Sequence, residues 1–290
     1  MEESRQESYM SEIDVVQNDL RNLLFNFNEY TKPEYPSKDQ TQFIDTPMIY
    51  KEPYGVVLII GAWNYPFLVT VLPIAGAIAA GNCIIIKPSE IAPASAQYIS
   101  RNIPKYLDKD CYQVYNGGVA ETTELLKEKF DYIFFTGSTA IGKIIQNAAA
   151  KNLTPTTLEL GGKCPVYIDE SVDMELTTKR IIWGKCLNLG QTCVGPDYIL
   201  CSEKTQEEFI SWTKRILTEF YGDNLKISPD LARIATNRHF NRLVSLLNNC
   251  NTALGGNIDS NERACVVCVV GLSVTLKQHI QSDVTIVLAR

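Results

Sequence analysis

The sequence predicts an α/β protein with a parallel sheet, continued by a second α/β unit, on three observations. Short β-type runs alternate with helical stretches from residue 55 onward. Those runs are apolar throughout, as strands buried on both faces of a parallel sheet are. The chain has 290 residues, 45% of them hydrophobic, which is ample for a core and more than one compact domain of usual size needs. Two domains are therefore expected.

Residues 1–54 are mostly polar and helical at first, with "TKPEYPSKDQTQ" (31–42) as an extended loop. "GVVLII" (55–60) reads as a strand leading into an apolar helix from Phe67 to Ala80. "CIIIK" (83–87) precedes a helix near 93–106, "CYQVYN" (111–116) one near 119–128, and "DYIFFTGS" (131–138) one near 140–151. Strands bounded by turn residues and followed by helices make βαβ units. After "TPTTLELGGK" (154–163) the pattern changes, and the double glycine at 161–162 reads as a joint. "CPVYID" (164–169), a helix near 173–188, "DYILCS" (197–202) and helices near 205–220 and 231–249 form the second unit. The expected domains are 1–160, 161–263 and a tail over 264–290.

Net charge is −6, from 27 basic and 33 acidic residues with no block of one sign, so no basic stripe exists for nucleic acid. Nine cysteines without a secretory signal point to free thiols in a reducing compartment, most simply the cytoplasm. Cys265 and Cys268 have C-x-x-C spacing but lack a second ligand pair or a nearby histidine, so they read as part of a β-type run and no metal site is expected. The apolar stretches all fall short of the roughly 20 residues that span a bilayer.

Cys193 lies in "GQTCVGPDY" (190–198), a polar loop unlike the apolar runs around most of the other cysteines. It is read either as a structural thiol or as a nucleophile, whose thiolate needs local help near pH 7. A Cys-His hydrolase is disfavoured, because His239 and His279 are the only histidines and carry no accompanying motif. Asn64 in "GAWNYPF" (61–67) follows a strand end and reads as a turn residue or an oxyanion donor. Lys87 and Glu90 in "KPSE" (87–90) make a solvated turn or grip ribose hydroxyls, with Ser89 placed to cap the next helix. "FFTGSTAIGK" (134–143) sets Gly137, Ser138 and Gly142 at a helix start suited to a pyrophosphate, although the spacing is not G-x-G-x-x-G. Glu159 in "LELGGK" (158–163) is open to two roles, a ribose ligand or a general base whose pKa partial burial would raise.

In this order, "WNYPF", "KPSE", "FTGSTAIGK", "LELGGK" and "GQTCVGPDY" resemble the NAD(P)-dependent aldehyde dehydrogenase superfamily. "EPYGVVLIIGAWNYPF" and "ARIATNRHFNRL" look most like its class 3 branch, which includes fatty aldehyde dehydrogenases; the resemblance runs from about residue 9 to about 263. It implies a Rossmann-like NAD(P)-binding domain and an incomplete catalytic domain. It also implies roles. Cys193 attacks an aliphatic or aromatic aldehyde, Asn64 and the Cys193 N–H hold the oxyanion, and Glu159 activates the water that releases the acid. Lys87 and Glu90 hold the adenosine ribose, while Gly137, Ser138 and the helix containing Gly142 face the pyrophosphate. Glu90 near the ribose leans towards NAD over NADP by repelling a 2′-phosphate.

The departures from the family are also specific. Its first helices are mostly missing, and after "NERA" the text "CVVCVVGLSVTLKQHIQSDVTIVLAR" leaves the pattern. The Glu-x-Phe-Gly-Pro segment that holds the nicotinamide does not occur in these residues, and the resemblance leads one to expect the dimer arm of the family's homodimer and any membrane-anchoring tail to be missing with it. These gaps predict exposed apolar surface, with poor solubility or chaperone dependence, and low turnover. The alternative function is thus a truncated, catalytically silent form that binds nucleotide or a partner at most. An acyl-phosphate or acyl-CoA reductase is a further alternative, against which Glu159 weighs as a deacylating base.

Overall fold

A computed structural model describes residues 4–42 and 44–247, together with 251–256, 258–259, 264–265, 270–273 and 285–288. The chain divides into two compact units, Tyr9–Leu160 and Met1–Ser8 with Gly161–Arg290.

In the first unit a π-helical turn, Tyr9–Ile13, leads into α2 (Asp14–Thr31), preceded in the chain by the short α1 (Arg5–Ser8). The stretch after α2 bridges Glu34 to Ile49 and, unlike the extended loop expected over 31–42, includes a short 3-10 turn at Gln40–Gln42. Then β1 (Val56–Ile60), α3 (Leu68–Ala79), β2 (Cys83–Lys87), α4 (Pro93–Tyr106), β3 (Tyr112–Val114), α5 (Val119–Leu125), β4 (Tyr132–Gly137), α6 (Thr139–Ala150) and β5 (Thr156–Leu160) follow in strict alternation. The sheet order is β3-β2-β1-β4-β5 and every pairing is parallel.

The apolar strands bury both faces. Val57 and Ile59 pack with Ile84, Ile86, Ile74 of α3 and Ile99 of α4 on one side. Leu58 and Ile60 pack with Ile133, Phe135 and Ile145 of α6 on the other. Successive strand residues point to opposite faces, so a continuous apolar run is what a sheet covered by helices on both sides requires.

In the second unit the elements are β6 (Pro165–Tyr167), α7 (Met174–Cys186), β7 (Tyr198–Cys201), α8 (Glu203–Tyr221), α9 (Asn237–Leu247), β8 (Asn251–Leu254), β9 (Ile258–Asp259), β10 (Ala264–Cys265), β11 (Val270–Ser273) and β12 (Thr285–Leu288). Phe209, Ile216 and Ile234 are central to its core. Side-chain caps set the helix starts: Asp173 accepts from the Leu176 N–H at 2.9 Å and Ser202 from the Thr205 N–H at 3.3 Å.

Helix α9 begins six residues later than the sequence suggests, because Thr236 takes the cap position and its Oγ1 accepts from the His239 N–H at 3.1 Å. The second sheet runs β6-β7-β12-β11-β8, so strands from the 264–290 stretch join it, antiparallel to β7 and to each other. Cys265 lies in β10; Cys268 and His279 lie outside the described residues. No described helix is long and apolar enough to cross a membrane.

Candidate functional site

All five strands of the first sheet end at one edge, where open α/β sheets bind ligands. The chain order reverses between β1 and β4, the switch point of such a sheet. Asn64 stands in the loop after β1, Lys87 ends β2, Gly137 ends β4, and Glu159 is next to last in β5. The first unit therefore brings Asn64, Lys87, Glu90, Gly137, Ser138, Gly142 and Glu159 to the same edge. Cys193 belongs to the second unit.

Lys87 is 4% exposed and its Nζ lies 2.7 Å from Glu90 Oε2. Burial pushes the Glu90 carboxyl up, but the hydrogen bond from Lys87, a backbone N–H and the Lys87 charge outweigh it and hold the group below its ordinary value. With Lys87 and Ser89 both buried, this is not a solvated turn. A buried ammonium beside an exposed carboxylate offers a donor and an acceptor together, the set that ribose hydroxyls require.

Helix α6 starts on Ser138, whose Oγ accepts from the Ile141 N–H at 3.4 Å. A Cβ at Gly142 would fall 2.8 Å from Leu160 Cδ2, so glycine lets the first turn of α6 lie against β5. The first turn of α6 follows directly on the end of β4, and helix amino-termini favour anions such as a diphosphate.

The Asn64 loop is tied at both ends. Gly61 N–H donates to the Lys87 carbonyl at 3.0 Å. At the other end α3 has no cap of its own, since Phe67 occupies the cap position without a side-chain hydrogen bond. Glu12 supplies the acceptor instead: the N–H groups of Phe67 and Leu68 donate to its Oε2 at 2.7 and 3.0 Å. Glu159 differs from expectation. It is exposed, beside Thr136 of β4, so the partial burial expected of a general base is not found within this unit.

Cys193 is half-buried and not in a disulfide. After α7 the backbone passes through three successive left-handed residues, Asn188, Leu189 and Gly190, at φ of 50°, 51° and 74°. Two of these are not glycine, and such residues persist only where their surroundings over-determine them. The surroundings are dense. Gln191 Nε2 donates to the carbonyls of Asn188 and Arg233, both at 3.1 Å, and its Oε1 accepts from the Ala235 N–H at 3.0 Å. The buried Lys185 donates to the Pro196 carbonyl at 3.0 Å.

The Cys193 carbonyl itself accepts from the Gly162 N–H at 3.2 Å and the Cys164 thiol at 3.3 Å. Asp197 N–H returns a bond to the Cys164 carbonyl at 2.9 Å, and its carboxylate lies 3.2 Å from Lys163 Nζ. A Cβ at Gly162 would come within 3.0 Å of Cys164 Sγ and 3.1 Å of the Cys193 carbonyl, so the glycine permits this approach. The loop is thus stitched to residues 162–164, with the Cys193 backbone fixed.

Glu12, Cys164 and Gln191 were not singled out in the sequence. Gln191 sits inside the Cys193 motif, where its polar neighbourhood was a signal. Glu12 gave none, because its partners lie 55 and 56 residues away.

Residues 4–277 match the aldehyde dehydrogenase family. The chain is 50% identical over 255 residues to aldehyde dehydrogenase family 3 member A2 of Pongo abelii, a stretch that is 88% of this chain and 53% of that protein. It is 49% identical over 256 residues to the dimeric NADP-preferring aldehyde dehydrogenase of Mus musculus, covering 88% of this chain and 56% of that one. A solved structure described as the substrate-bound state of Staphylococcus aureus AldH superposes with a TM-score of 0.88 at 41% identity, over 97% of this chain and 62% of that chain. The chain spans about half the length of the curated relatives it matches.

Proposed function

Because the chain belongs to the aldehyde dehydrogenase family, in its class 3 branch, we propose that it serves the oxidation of aldehydes to carboxylic acids with NAD or NADP. Residues 1–160 are the nucleotide-binding domain in this reading, and residues 161–263 carry the nucleophile. The Cys193 thiolate adds to the aldehyde carbonyl and forms a thiohemiacetal. The Asn64 side-chain amide and the Cys193 N–H donate to its oxyanion, the kind of interaction whose loss costs about 2.7–4 kcal/mol in the transition state. NAD or NADP, when bound, supplies the hydride acceptor. Cys193 is then left as a thioester, and Glu159 takes a proton from the water that hydrolyses it.

The residues present fit a dinucleotide. Lys87 and Glu90 would hold the adenosine ribose, and Ser138 with the first turn of α6 would hold the pyrophosphate, with Gly137 and Gly142 keeping that edge clear. The observation that carries the reading is the stitched loop. Bonds to the Cys193 carbonyl from Gly162 and Cys164 fix the backbone of a cysteine that makes no disulfide, as a nucleophile requires.

Membership of the family supports the base role for Glu159 over that of a ribose ligand. The presence of Glu159 also weighs against an acyl-CoA or acyl-phosphate reductase.

The test is NADH formation by the purified 290-residue chain with a medium-chain aldehyde, beside Cys193→Ala. Full activity of the whole relatives is not expected of these residues alone, and the expected turnover is low. Any NADH formed by the parent falls by about a thousandfold or more in Cys193→Ala. Turnover that survives Cys193→Ala overturns the assigned nucleophile. A folded parent that binds NAD yet forms no NADH favours the second reading, nucleotide binding without turnover.

A further inference from the structure

At the opposite end of β2 from Lys87 lies a second cysteine arrangement, unrelated to Cys193. Cys83 is the first residue of β2, and Cys111 immediately precedes β3. The two strands are parallel neighbours in which Ile84 faces Tyr112. One step back, that register sets Cys83 beside Cys111, and the Ile84 N–H donates to the Cys111 carbonyl at 2.8 Å. In-register residues of adjacent strands project to the same side of the sheet. The Cys83 side chain lies close enough to Cys111 to push its thiol up.

Neighbouring strands lie about 4.8 Å apart. A disulfide accepts Cα separations of about 4.4–6.8 Å. Both thiols are half-buried, so a small reagent reaches them, whereas Cys186 and Cys201 are buried. The Cys164 thiol is instead engaged with a backbone carbonyl.

We propose that Cys83 and Cys111 form a redox-active thiol pair that a small-molecule disulfide of the glutathione type oxidises to an intramolecular disulfide. The neighbouring Cys83, burial and the nearby Asp108 and Asp110 push the Cys111 thiol up. The Cys83 thiolate displaces one glutathione thiolate and leaves a mixed disulfide. The Cys111 thiolate then attacks the Cys83 sulfur of that bond, forms the Cys83–Cys111 disulfide and releases the second glutathione thiolate. Two protein thiols lose two protons and two electrons, and one glutathione disulfide becomes two thiols. The product staples β2 to β3 around α4.

The experiment treats the reduced full chain with oxidised glutathione, blocks remaining thiols with an alkylating agent, and maps the peptides without reduction. A peptide pair linked through Cys83 and Cys111 is expected in the parent and is lost in Cys83→Ala and in Cys111→Ala. The oxidised parent is also expected to unfold at a midpoint roughly 5 °C above the reduced parent. Recovery of both cysteines alkylated, or as separate glutathione adducts on a folded chain, overturns the proposal. No arm reads turnover, so failure here is distinct from failure of the dehydrogenase reading.

Discussion

Glu7 is buried, and only one of its carboxylate oxygens is engaged: the Asn188 N–H donates to Oε1, while Oε2 has no hydrogen-bond partner among the described residues. Burial, partly opposed by that bond and reinforced by Asp230, raises its pKa to about 7. The unfolded chain ionises this group near the ordinary 4.5, so between there and 7 the folded state binds more protons. Its contribution is thus most favourable below 4.5, declines as pH rises to 7, and stays low above. Glu7→Gln keeps an acceptor for Asn188 and removes the charge. It should stabilise the chain by about 1–3 kcal/mol at pH 8 and by nothing below pH 4.5, read from urea unfolding at the two pH values. Glu90 invites a different measurement. If it holds the ribose, its charge repels a 2′-phosphate, and Glu90→Gln should shift the NADP-to-NAD affinity ratio upward by about tenfold in titration calorimetry. An unchanged ratio would remove Glu90 from the ribose site.

Helix α3 shows how an element depends on a distant residue. Its first turn is held by Glu12, so Glu12→Ala leaves two buried-side N–H donors without their acceptor and should cost about 1–2 kcal/mol. Hydrogen exchange at Phe67 and Leu68 should accelerate, with Glu12→Gln intermediate; unchanged exchange would show that the carboxylate does not hold the helix. Most elements were legible from local pattern. β2 and α4 carry the bounds their sequences suggest, because apolar runs, Pro93 at the helix start and flanking turn residues are local signals. The helical character of "ARIAT" extends the pattern of α9 back towards residue 231, and only the Thr236 cap reveals where the helix begins. The candidate residues of the first unit stand in motifs at strand ends, which is a local signal. The bonds that fix those motifs, from Glu12, Cys164 and Gln191, join residues far apart in the chain or in neighbouring loops and leave no periodic trace. The exposure of Glu159 was hidden for the same reason, since flanking leucines suggested burial that the fold of this unit does not provide.

Across the whole molecule, each of the two units has its own core, which makes the assignment of nucleotide binding to one of them measurable. NAD at a hundredfold excess over its Kd should add about 2.7 kcal/mol of stability. Slowed hydrogen exchange should concentrate at 87–90 and 137–142, and protection confined to the second unit would refute the domain roles. The sheet order has a further consequence during synthesis. β1 is central, yet one of its two neighbours is β4, and the Val56 N–H meets Asp131 across 75 residues of chain. At about 5–20 residues per second, a ribosome needs roughly 4–15 s to supply that partner. For that interval Leu58 and Ile60 have no Ile133 or Phe135 to pack against. A nascent chain paused before residue 131 is therefore the species on which a ribosome-associated chaperone has the most to hold.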